Sequence, residues 1–129
     1  MGYKSDVKFL MKEKDYNKLI EFSKTSEAPK ELERLLTVDC DIDDNKTDTY
    51  IPDGWVVLTY PDIKWYRKYP EIDFMDPKNL KDNYGINVDF VRIGEAIDDI
   101  ESIENIDISE KPISFCIVRS INLLYLDEE

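Results

Sequence analysis

The chain contains no histidine. That removes imidazole metal ligands, the Ser-His and Cys-His pairs of common hydrolases, and the side chain that most often acts as general base near neutral pH. Glycine is scarce: four residues, at positions 2, 54, 85 and 94, too dispersed to form a phosphate-cradling loop. The two cysteines, Cys40 and Cys116, form no CxxC pair and have no imidazole to activate them. They read as reduced, mostly buried thiols of a cytoplasmic protein, with a disulfide between them left open. No run of 18 apolar residues occurs, and the N-terminal MGYKSDVKFLMKEKD lacks the apolar core of a signal peptide, so no membrane association is expected. No cofactor is expected either.

Positive charge is missing in particular places. The net charge is −12, yet residues 1–37 carry eight basic and seven acidic groups, whereas residues 38–129 carry nine and 22. The acidic excess sits in Asp39–Asp53, in Glu95–Glu110 and in the tail Asp127–Glu129. From Glu95 to Glu110 there are seven carboxylates and no lysine or arginine. Such a field repels nucleic acid and speeds encounter with cationic partners at low salt. Solubility alone is the bland account of the same charge.

What is present suffices for a core. The 129 residues are 42% hydrophobic and fit one domain, 1–129. Val7, Phe9 and Met11 alternate as a strand over 7–12. Tyr16, Leu19 and Ile20 mark a helix over 13–24, and Leu32, Leu35 and Leu36 a second over 29–36. Trp55 to Tyr60 is apolar on both faces, as in a strand lying centrally in a sheet. Pro61 and Asp62 suit the first turn of a helix over 61–69 that Pro70 would stop. Asp76 and Pro77 open a short helix through Asp82, and Tyr84-Gly85 makes a turn. Asn87 to Ile93 reads as a strand with Val88 and Phe90 on one face and Val91 and Ile93 on the other. Ile93, Ala96, Ile97, Ile100 and Ile103 fall within a 120° arc at helical spacing, which favours a short amphipathic helix over a β-hairpin. Ile113 to Leu124 alternates as a late strand. The sum is an α+β fold, a mainly antiparallel sheet of about four strands with two to four helices packed on one face.

Candidate chemistry is confined to carboxylates and aromatics. Asp39, Asp41 and Asp43 match the first ligand positions of an EF-hand, but the glycine of the sharp turn would be Asp44 and the closing glutamate Tyr50. The stretch therefore reads as a solvated acidic loop, with Asp41, Asp43 and Asp44 as candidate partner contacts. Trp65, Tyr66 and Arg67 are of the types that dominate interface energetics. Their acidic flanks speak against direct nucleic-acid binding, and core packing with snorkelling basic side chains is the simpler reading. Glu95, Asp98, Asp99, Glu101 and Glu104 form the strongest candidate surface. On a helix, Asp98 with Glu101 or Asp99 with Glu95 would share a face and hold a divalent cation.

FVRIGE (Phe90–Glu95), DDIE (Asp98–Glu101) and the earlier DIKWY (Asp62–Tyr66) carry a resemblance covering about residues 60–101. Here the chain resembles small acidic, mostly uncharacterised proteins of Gram-positive phages and conjugative elements. The resemblance implies a non-enzymatic protein of a mobile element. Such elements carry anti-CRISPR and anti-restriction proteins, several of which are acidic and occupy nucleic-acid sites on their targets. The expectation is thus an inhibitor whose carboxylates bind a basic protein partner, a nuclease or other DNA-handling enzyme, by nucleic-acid mimicry. An immunity protein that neutralises a toxin is a close alternative. A divalent-metal-dependent enzyme using the clustered carboxylates is a third.

Overall fold

A computed structural model describes residues 2–111. The strand expected at 113–124, Cys116 and the tail 127–129 lie outside the described residues.

The sheet is built around β1 (Ser5–Lys12). Its alternation sends Val7, Phe9 and Met11 into one apolar cluster and Leu10 into another on the opposite face. β1 pairs antiparallel with β3 (Trp55–Ile63) on one side and β4 (Asp89–Gly94) on the other. Among the described residues, β2 (Asp41–Asp43) and β5 (Ile100–Glu104) lie at the two ends of the antiparallel order β2-β3-β1-β4-β5. Val56, Leu58 and Tyr60 of β3 face the Phe9 side, whereas Trp55 and Val57 face the Leu10 side, which is the two-sided burial that its continuous apolar run anticipates.

Among the described residues, four helices contribute to the Phe9 side. α1 (Glu13–Ser23) follows β1 directly, with the Glu13 N–H donating to the Gly54 carbonyl at 2.8 Å, and buries Leu19. α2 (Leu32–Thr37) buries the expected stripe Leu32, Leu35 and Leu36. It begins at Leu32 rather than at residue 29, after a turn. α3 (Pro70–Phe74) and α4 (Pro77–Tyr84) each carry proline in the first turn. The Asp76 carboxylate accepts the Lys78 N–H at 2.9 Å as the N-cap of α4, and Gly85 closes that helix in the left-handed region at φ 65°. The fold is therefore α+β with helices on one face of an antiparallel sheet. No helix among the described residues is long and apolar enough to cross a membrane.

Three local expectations are overturned. The helix over 61–69 does not form: Pro61–Ile63 continues β3, and α3 starts at Pro70, the residue expected to stop it. The register shifts between Ser5 and Val7, so two residues of β3 face Asp6. Asp62 takes φ 53° in this bulge and donates its N–H to Asp6 at 2.8 Å. A left-handed residue cannot open a right-handed helix. Trp65 then folds back against Phe9, Tyr60 and Phe90, with ring centroids 5.7, 5.4 and 6.2 Å away. Second, the amphipathic helix across 93–103 is absent; the segment is the β4–β5 hairpin. Third, the acidic loop contains a strand, because Ile42 packs on the core opposite Leu58.

Candidate functional site

The hairpin tip brings together residues far apart in sequence. Gly94 ends β4, and its N–H donates to the Asp99 carbonyl at 2.7 Å, closing a turn over Glu95–Asp98. Arg92 and Glu101 are direct cross-strand partners in the β4–β5 register. The Arg92 guanidinium grips both Asp99 oxygens, Nη2 to Oδ1 at 2.7 Å and Nη1 to Oδ2 at 3.1 Å. Its Nε donates to Glu101 Oε1 at 3.1 Å, and Nη1 also reaches Ser5 Oγ at 3.1 Å. Tyr3 closes the arrangement from the N-terminal side: its hydroxyl donates to Asp99 Oδ2 at 2.6 Å and accepts the Ala96 N–H at 2.9 Å. The Arg92 hydrogen bonds, with that of Tyr3, hold the Asp99 carboxyl down at about 2. A Cβ at position 94 would meet the Asp99 carboxylate and the Tyr3 hydroxyl, so any larger residue there would displace both groups.

Arg67 extends the network. Its guanidinium pairs with Asp76 at 2.8 Å and with Glu101 at 3.5 Å, so this exposed arginine belongs to the acidic edge of the sheet. Of the other two aromatic-segment candidates, Trp65 is a half-buried part of the core and Tyr66 packs beside Tyr69 at 5.6 Å. The Lys68 ammonium lies 5.8 Å from both tyrosine ring centroids.

The structure thus divides the predicted carboxylates. Asp99 and Glu101 are neutralised from within by Arg92 and Arg67 and hold the hairpin together. Glu95 and Asp98 point outward on the turn, with Glu95 accepting the Lys4 backbone N–H at 3.3 Å. Between them Ile97, expected on a buried stripe, is 80% exposed, and Ile100 is 47% exposed. Glu104 lies opposite Asp89 in the register. Asp41, Asp43 and Asp44 sit at the other edge of the sheet, four strand spacings or roughly 19 Å away. There Asp43 accepts from the Thr47 hydroxyl, and Asp44 from the Lys46 and Thr47 amides. The two acidic segments are separate patches.

Sequence reasoning missed Arg92 and Tyr3. The signal for Arg92 was available only if the hairpin was assumed: a two-residue period with a turn after Gly94 sets Arg92 opposite Glu101. A second ion pair also went unseen. Lys111, 8% exposed, meets Asp89, 1% exposed, at 2.8 Å on the Leu10 side of the sheet, and Asp89 also accepts the Ile106 N–H. The helix-face carboxylate pairs considered for a divalent cation lose their geometric basis with the helix. Among the described residues, no group of three or more metal-ligating side chains is placed to hold a metal ion. Comparison of the chain with protein-family models, curated proteins and solved structures finds no match.

Proposed function

We propose that the chain is a non-enzymatic acidic interaction protein whose β4–β5 tip docks onto a basic, nucleic-acid-binding groove of a protein partner. The resemblance at 60–101 suggests a mobile-element inhibitor of a host defence nuclease, of anti-CRISPR or anti-restriction type. One observation carries the reading: Glu95, Ile97 and Asp98 project from a turn pinned from behind by Tyr3, Asp99 and Arg92. A pinned turn loses little conformational entropy on binding, so its contacts translate more fully into affinity. An exposed isoleucine between carboxylates gives such a turn an apolar anchor and a charged rim, the arrangement of many interface centres. The negative field of the chain would steer it towards a cationic groove.

The test uses affinity capture from a Gram-positive lysate with wild-type protein and two variants. Glu95→Gln/Ile97→Ser/Asp98→Asn alters the tip, while Glu21→Gln/Glu31→Gln removes the same number of charges from the helical side. A basic nucleic-acid-binding protein retained by wild type and control but lost by the tip variant is expected. Equal retention by all three chains would refute the tip as the docking surface. Capture of a basic toxin instead would favour the immunity-protein alternative on the same surface.

A further inference from the structure

On the helical layer, the end of α1 and its following loop face α3 and α4 across a depression of about 520 Å³, whose lining includes Asp76, the carboxylate that Arg67 links to Glu101. Three aromatic rings are among its lining residues. Phe22 and Phe74 stack at 7° with centroids 5.2 Å apart, and Tyr84 lies 5.4 and 5.0 Å from them. Pro29 and Pro70 wall it. Glu27, Asp73 and Asp82 stand among the lining residues, and Lys78 is held by Asp82 at 3.0 Å. Among the described residues, no cation pairs with Glu27 or Asp73.

We propose that this depression binds an arginine side chain presented on an extended peptide of a partner. A planar guanidinium stacks on aromatic faces and donates hydrogen bonds in its own plane, so it uses the rings and the rim carboxylates together. A neutral apolar occupant would desolvate Glu27 and Asp73 without compensating them, and an anion would be repelled. The volume falls within the range of small-ligand sites and holds the arginine with its flanking backbone.

The experiment titrates the full chain, by NMR, with acetyl-Gly-Arg-Arg-Gly-amide and with the same peptide carrying citrulline, which keeps the shape and removes the charge. Saturable shifts centred on Phe22, Phe74 and Tyr84 are expected for the arginine peptide below about 10 mM, with citrulline at least about fivefold weaker. Glu27→Gln/Asp73→Asn, which changes only exposed or rim groups, should weaken binding by a similar factor while leaving the spectrum of the free protein folded. Glu95→Gln/Asp98→Asn should leave it unchanged. Shifts centred elsewhere, equal response to citrulline, or no saturation in that range would overturn the proposal.

Discussion

At Asp99 a single carboxylate is both part of an acidic run and a structural clamp, and its titration separates the two roles. An aspartate without partners would titrate near 3.8, whereas Arg92 and Tyr3 hold this one at about 2. The folded-state value is depressed, so the stability it contributes is complete above about pH 4 and is lost as pH falls towards 2. Carboxyl NMR should give a midpoint for Asp99 near 2, returning towards 3.8 in Arg92→Ala; an ordinary midpoint in the wild type would contradict the clamp. Asp62 offers a backbone test of the same kind. Its φ of 53° favours glycine, so Asp62→Gly should be neutral or stabilising, while Asp62→Val should cost about 1–2 kcal/mol in denaturant unfolding. The buried Asp89–Lys111 pair is the most demanding case. Asp89→Ala removes the buried carboxylate that holds both Lys111 and the Ile106 N–H, and should cost about 3–5 kcal/mol in denaturant unfolding. Cys40 sits where burial pushes its thiol up to about 11. In a Cys116→Ser background its alkylation should therefore be slow at neutral pH and rise towards that value.

The elements that the sequence made legible are those whose apolar period agrees with their surroundings. β1, the leucine stripe of α2, the faces of β4 and the Asp76-Pro77 start of α4 all follow from local pattern and capping. Two segments depart from their local pattern for a shared reason: long-range packing overrides local helical preference. In 93–103 the decisive fact is cross-strand pairing, Phe90 with Ile103 and Arg92 with Glu101, and no window of neighbouring residues contains it. In 61–69 it is the insertion of Trp65 beside Phe9 and Phe90. The candidate site was legible as composition but not as geometry: the acidic residues were identified, while the division into clamp and outward-facing groups depends on Arg92 and Tyr3. The N-cap of α4 supplies an element-scale prediction. Asp76→Ala removes the cap and one partner of Arg67, and should lower stability by about 1–2 kcal/mol in thermal or denaturant unfolding.

At the scale of the whole chain, a net charge of −12 coexists with internal pairing of several carboxylates, so total charge overstates what any partner meets at one place. The two acidic segments occupy opposite sheet edges, and a partner that binds through charge must choose an edge or span the molecule. The edge at β5 is the one with a pinned turn, an exposed isoleucine and outward carboxylates. The most direct test is competition on the captured partner: immobilised wild-type chain holding its partner is challenged with duplex DNA and, separately, with rising salt. The account predicts that DNA and salt both release the partner and that the Glu95→Gln/Ile97→Ser/Asp98→Asn chain retains none of it. A partner that stays bound in saturating DNA, or that binds the altered tip as tightly as the native one, would contradict it.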